Sequence, residues 1–259
     1  MDYPEYVARF YDVIYDQMRT EHDKDYYMEK IASTSGTVLE IGSGTGRFFS
    51  DALGRGADIY GIDTSEHMLS VLKQKIDSRE HHRVSRQSAV DFHFDWKFEL
   101  ILAPFRVLSH VLETDDQLKA LNCVARHLSD TGRFIFDVFI PDPGMIAQGL
   151  HNVVDFEGEY APGRMLKRTV NMSSDIVSQI SDINMRFDWD EDERNRTEEW
   201  HFRFRYYFRY EVEHLISRSD LEVVKISGDF SEGPLQAGSR ELIVECKRKK
   251  ELRIVTQEL

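Results

Sequence analysis

The sequence predicts an α/β protein, a mostly parallel sheet with helices on both faces, interrupted late in the chain by an antiparallel β-meander. Three observations carry this expectation. Residues 38–48, VLEIGSGTGRF, run from an apolar strand into a glycine loop and then a helix start. Strand-like and helical stretches then alternate in units of about 20 to 30 residues, the rhythm of a parallel sheet covered on both faces. From residue 151 to 208 the helical spacing is lost and every second residue alternates instead.

Bulk properties narrow the class of protein. A chain of 259 residues with 41% hydrophobic and 31% charged content can bury a substantial core. The net charge of −13 makes a phosphate backbone a poor default partner, so no nucleic acid is expected. Nothing approaches a membrane-spanning run, and residues 1–10 lack the pattern of a secretory leader. Cys123 and Cys246 show neither a paired framework nor metal-ligand spacing. A reducing, cytoplasmic setting and no metal follow as expectations.

Taken in order, residues 3–18 place Val7, Phe10, Tyr11, Ile14 and Tyr15 at helical spacing. That helix either packs on the core or covers a ligand. A second helix is expected over 22–31. After the glycine loop come a helix over 47–53, a strand over 57–62 closing at Asp63, and a helix over 66–76 capped by Ser65. Residues 83–86 and 98–103 read as the third and fourth strands, with Pro104 ending the latter. Thr114 is the expected cap of an amphipathic helix over 115–128, and Thr131–Gly132 a turn into a fifth strand over 133–139.

The meander is expected to turn at 161–163, at 173–175 and at 191–195, with strands over 165–172, 176–187 and 197–207. Its acidic stretch 188–193 reads as a solvated hairpin tip. In HFRFRYYFRY, residues 201–210, Phe202, Phe204 and Tyr206 share one face as core and Arg203 and Arg205 the other. A helix over 211–217, strands over 221–227 and 241–246, and a solvated basic tail from 247 complete the chain. The expected division is a cofactor-binding core with an N-terminal helical lid over 1–150, the inserted meander over 151–208, and the end of the core sheet with the tail over 209–259.

The glycine loop and Asp63 carry the chemistry. Glycines adopt φ values that other residues resist and let a ligand approach the backbone closely, while the helix start adds unpaired N–H groups. An acid at the carboxyl end of a second strand reaches the ribose hydroxyls of a nucleoside ligand. A nicotinamide dinucleotide wants G-x-G-x-x-G, but here the third glycine is Gly46 and position 47 is arginine. The pattern Glu40-x-Gly42-x-Gly44-x-Gly46, followed by Asp63, resembles the class I S-adenosylmethionine-dependent methyltransferase family. The resemblance covers about residues 33–138 and implies a Rossmann-like sheet whose last strand is antiparallel.

What the resemblance implies can be placed residue by residue. Gly42, Ser43, Gly44 and Gly46 would line the methionine portion of S-adenosylmethionine (SAM, leaving as S-adenosylhomocysteine). Asp63 would bind the ribose, with Thr64 and Met68 near adenine. The family often carries an acid after the third strand. The aligned position here is Ser88, followed by Ala89, with Asp91 three further on, so the adenine reader stays open among the three. Ala103 and Pro104 would face the methyl group. The layout is similar to small-molecule N-methyltransferases acting on amino sugars or glycine, where an N-terminal segment like Tyr11-Asp12-Val13-Ile14-Tyr15 closes over both ligands. Tyr11 would then touch the cofactor, and Tyr15, Phe105 and Arg106 the acceptor. His110 is the candidate general base, and a packing histidine is its alternative. Arg106 could instead pair with a structural acid.

The resulting expectation is a methyltransferase acting on a small molecule, an amine ahead of a hydroxyl. A macromolecular methyltransferase, a non-catalytic SAM-binding module and a dehydrogenase are the rivals. The meander could pack against a second copy of the chain.

Overall fold

The structure is a computed structural model, and it describes residues 2–18, 22–191 and 194–250. Seven strands form one sheet in the order β10-β11-β5-β4-β1-β2-β3. Here β1 is Val38–Ile41, β2 Ile59–Asp63, β3 Val84–Arg86, β4 Phe98–Ala103 and β5 Leu128–Phe139, while β10 is Leu221–Ser227 and β11 Glu241–Arg248. The pairs β1–β2, β1–β4, β2–β3 and β4–β5 are parallel, and β11 runs antiparallel to both its neighbours. This is the sheet that the glycine-loop resemblance implied.

Alternation decides which residues face which layer. Leu39, Ile41, Ile101, Phe134 and Phe136 pack against α5 (Thr114–His127) and α7 (Arg209–Ser217). Val38, Ile59, Leu100, Leu102 and Ile135 face α2 (His22–Ala32), α3 (Phe49–Gly54) and α4 (Glu66–Lys75). Both faces of these strands are dry, which explains their continuous apolar runs. Ser65 caps α4 as expected, its hydroxyl accepting the Met68 N–H at 3.4 Å.

The second sheet, in the order β6-β7-β8-β9, is fully antiparallel. Its strands are Leu150–Ala161, Arg164–Asp175, Ile180–Glu191 and Arg194–Arg205. It is the meander, regular and four strands long. Helix α1 (Glu5–Met18) lies on it: Val7, Phe10 and Ile14 share a core with Phe156, Leu166, Phe187, Trp189 and Trp200.

Several local expectations are corrected. Residues 173–175 end β7 and do not turn. The turn comes at 176–179, where the Asp175 carboxylate accepts the Val177 N–H at 2.9 Å and the Ser178 hydroxyl at 2.7 Å, so the next strand starts at Ile180 and not at Ile176. Thr131 and Gly132 lie inside β5: a side chain at Gly132 would sit 2.8 Å from the Phe98 carbonyl oxygen, so this glycine serves close strand approach. Thr114 is the first helical residue, preceded by Glu113, which makes no capping bond with its side chain. A short helix, α6 (Pro143–Gln148), went unforeseen although Asp142–Pro143 is a helix-start signal, with the Asp142 side chain accepting the Met145 N–H at 2.9 Å. Asp192, Glu193 and the tail from residue 251 lie outside the described residues. Among the described residues no helix is long and apolar enough to cross a membrane.

Candidate functional site

Because β1 to β4 are parallel, their carboxyl ends meet at one edge of the sheet, and the loops that follow them enclose a cavity of about 400 Å³. Gly42, Gly44, Asp63, Thr64, Met68, Ser88, Ala89 and Tyr11 line it, joined by Tyr3, Gln87, Pro104, Phe105 and His110. Ser43, Gly46 and Ala103 do not line it. Ser43 and Ala103 are buried beneath the surface, and Gly46 packs on α4, where a side chain would meet Leu72 Cγ at 2.8 Å.

The loop conformation depends on its glycines. Gly42, Gly44 and Gly46 have φ of 73°, 54° and 88°. A Cβ on Gly44 would meet nothing nearer than 3.9 Å, so this position leaves space open to the cavity. A Cβ on Gly42 would lie 2.4 Å from Val107 Cγ2. Gly42→Ala is therefore expected to cost about 2 kcal/mol of stability by denaturant titration. Adding Val107→Ala should recover only the part due to the clash, since the strained φ remains.

Asp63 is the centre of the loop's polar network. Its Oδ2 accepts the Gly44 N–H at 2.9 Å and its Oδ1 the Ser65 N–H at 2.8 Å. Burial pushes its carboxyl above the usual range against these bonds. Glu40 is more deeply buried. Desolvation, with Asp63 nearby, raises its carboxyl well above the usual range, and its Oε2 has no hydrogen-bond partner. At the third strand's end, the Ser88 hydroxyl accepts the Val90 N–H at 3.2 Å, and Asp91 does not face the cavity.

A second chamber of about 690 Å³ adjoins the first. Tyr3, Tyr11, Phe105 and His110 line both. Tyr15 and Arg106 face this larger chamber, as do Arg168, Trp200, Phe202 and Phe204 from the meander. The wall between the chambers is strained: Phe105 and Arg106 both have φ of 62°. Asp137 Oδ1 holds that backbone, accepting the Phe105 N–H at 2.7 Å and the Tyr27 hydroxyl at 2.6 Å. Arg106 pairs with Glu241 at 2.9 Å and lies over the Phe139 ring, so the structural-acid alternative is the contact observed.

His110 ends a short 3-10 turn, Val107–His110. Its Nε2 lies 3.1 Å from the Tyr3 hydroxyl, and its Nδ1 has no hydrogen-bond partner. Burial lowers its pKa to about 4, so the ring is neutral at physiological pH.

Residues 38–132 match the methyltransferase domain family. This stretch, from β1 into β5, carries a methyltransferase domain. A curated relative, the Bacillus subtilis protein YqeM, whose name marks it as a candidate methyltransferase, is 22% identical over 92% of this chain and 95% of its own. The fold is shared with a SAM-dependent methyltransferase from Clostridium acetobutylicum, TM-score 0.76 at 18% identity over 95% and 98% of the two chains. It is shared also with the sugar N-methyltransferase KedS8 from Streptoalloteichus, TM-score 0.71 at 16% identity over 92% and 93%.

The resemblance of the glycine loop implies SAM as the cofactor, and the smaller cavity fits it on chemistry visible here. The open face of Gly44 and the Asp63 carboxylate both line this cavity, the backbone and the acceptor oxygens that a nucleoside ligand would need. Sequence reasoning missed Tyr3 and Arg168 and took Phe202 and Phe204 for core. Arg168 has no local motif: it lies mid-strand in β7, and only the fold brings its buried guanidinium, forked onto Asp155 at 2.9 and 2.8 Å, beside Tyr15.

Proposed function

We propose that this methyltransferase acts on the nitrogen of a small-molecule amine held in the larger chamber. The observation that carries the reading is the shared wall of Tyr3, Tyr11, Phe105 and His110 between that chamber and the cofactor cavity. A chamber of about 690 Å³ has the size of a small-molecule site. Its aromatic rings suit a cationic or polarised nitrogen, and KedS8 is itself a sugar N-methyltransferase.

Bound SAM supplies a methyl group already activated by a sulfonium charge. The protein's part is then alignment and exclusion of water, which can contribute roughly 7–11 kcal/mol. Gly42, Gly44, Asp63, Thr64, Met68, Ser88 and Ala89 would hold the cofactor, with Tyr11 covering it. Tyr15, Phe105 and Arg106 would shape the acceptor side, and residues 151–208 would cover it. His110 would receive a hydrogen bond from the amine and aim its lone pair. With a pKa of about 4 it stores a proton poorly, so orientation is a better account of it than base catalysis. The free, buried Cys123 and Cys246 support a cytoplasmic setting.

The test is a panel of amino sugars, amino acids, peptide N-terminal amines and matched alcohols, read by S-adenosylhomocysteine release. Amines are expected to turn over at least about tenfold faster than their hydroxyl counterparts. Faster turnover of the alcohols would replace nitrogen by oxygen as the acceptor.

A further inference from the structure

The walls of the larger chamber differ in chemistry. On the meander side, β8 and β9 pair antiparallel, and their register sets Ile183 opposite Phe202 and Met185 opposite Trp200. All four side chains line the chamber. They are alternate residues of their strands, so they share one face, while Asp182, His201 and Arg203 between them are exposed. Trp200 and Phe202 stack at 4.2 Å with their planes 25° apart, which makes one flat aromatic ledge. The ledge reaches the wall shared with the cofactor cavity. The Tyr3 ring leans on Trp200 at 4.6 Å, and the Phe202 ring lies 6.2 Å from that of His110.

The other side of the chamber is polar, but its guanidinium groups are matched. Arg106 pairs with Glu241 at 2.9 Å, and Arg168 forks onto Asp155 at 2.9 and 2.8 Å. Within the group of Ile183, Met185, Trp200 and Phe202, only the Trp200 indole N–H is a strong hydrogen-bonding group. A polyhydroxyl body laid on the ledge would stack its carbon face there. Its ring-edge hydroxyls would then meet Ile183 and Met185, and a buried hydroxyl without a partner is costly. A flat apolar body avoids that cost, since it buries carbon against carbon and stacks on rings.

We propose that the acceptor is an arylalkylamine, an amine on a short alkyl arm whose aromatic body lies on the Trp200–Phe202 ledge while its nitrogen stands at Tyr3 and His110. Ile183 and Phe202 are then the residues that select the body. The inference rests on the reading of the larger chamber as the acceptor site, and it narrows the amine to one class.

Phenethylamine and glucamine test it. Both are primary amines on a methylene, and they differ in the body, aromatic in one and polyhydroxyl in the other. With SAM supplied, kcat/KM for phenethylamine should exceed that for glucamine at least about 100-fold. Calorimetry with S-adenosylhomocysteine present should give the same order of affinity without any turnover. Phe202→Asn should lower kcat/KM for phenethylamine at least about tenfold and leave glucamine within about threefold, and Phe202→Leu should recover part of the loss. Ile183→Asn should act in the same direction, so a failure of one variant to fold leaves the other to be read, with SAM affinity as the check on folding. Glucamine used or bound as well as phenethylamine would overturn the proposal, and so would an absence of phenethylamine binding. Variants that slow both amines equally would overturn the selecting role, because residues that only hold the chamber's shape act on every acceptor alike. Phenethyl alcohol separates this inference from the nitrogen reading. If it is methylated faster than phenethylamine while both outrun glucamine, nitrogen is wrong and the aromatic body stands.

Discussion

Asp63→Ala is expected to weaken SAM binding at least about 100-fold by calorimetry. Hydrogen bonds to a charged acceptor are worth about 1.5–3 kcal/mol each, and a ribose diol offers two donors to one carboxylate. The ligand-free protein also uses this carboxylate, through the Gly44 and Ser65 N–H groups. The alanine variant therefore also leaves two backbone donors without their acceptor, and part of its loss could come from a loosened loop. Asp63→Asn removes the charge but keeps the size and one of the two acceptor oxygens, its NH2 facing the other backbone donor. Its thermal midpoint should fall less than that of the alanine variant, while affinity still drops about tenfold. The pH dependence adds a second check. Burial raises the Asp63 carboxyl above its ordinary value in the ligand-free protein, and two ribose donors favour the ionised form. Binding therefore releases a proton in that range, and wild-type affinity should strengthen as the pH rises through it. The asparagine variant should show no such slope. An alanine variant that binds SAM as tightly as wild type would remove Asp63 from the ribose role.

What was legible in the sequence was whatever local physics determines. The strand end, the glycine loop and Asp63 lie within 26 residues, 38 to 63, and their geometry follows from φ values and hydrogen-bond donors that neighbours in the chain dictate. Strand β4, Phe98–Ala103, and strand β10, Leu221–Ser227, lie where apolar runs bounded by Pro104 and Gly228 put them. The acceptor side was less legible because it is assembled from distant parts. Tyr3 meets His110 across 107 positions, and Arg106 meets Glu241 across 135. Phe202 and Phe204 alternate as any core-facing strand residues would, and nothing local says that a chamber, not a partner sheet, lies opposite. Gly132 shows the opposite error: a glycine after threonine reads as a turn until the Phe98 carbonyl is seen to crowd it.

His110→Phe is expected to cut kcat about 100-fold and to remove an acid sensitivity from the fold. The kinetic loss follows from position: the ring stands on the wall shared by both chambers, and misplacing a reacting nitrogen by about 1 Å can cost that factor. His110→Asn keeps a hydrogen-bonding side chain and should recover part of the rate. A base that holds the proton would behave otherwise, since its loss would flatten a limb of the pH profile near its own pKa. Here the folded value of about 4 lies below the ordinary 6.5, so wild type should show no inflection from His110 between pH 5 and 8. The acid limb should instead move with the pKa of the amine supplied. Stability follows the same shift. Between pH 6.5 and 4 the unfolded chain binds more protons at this site than the folded one, so stability is complete above that window and falls as the pH is lowered through it. From pH 7.5 to 5 the loss from His110 amounts to about 2 kcal/mol. Denaturant titrations at the two pH values should show it in wild type and not in His110→Phe. An unchanged acid loss in the variant would mean that His110 is not the buried neutral ring that its surroundings dictate.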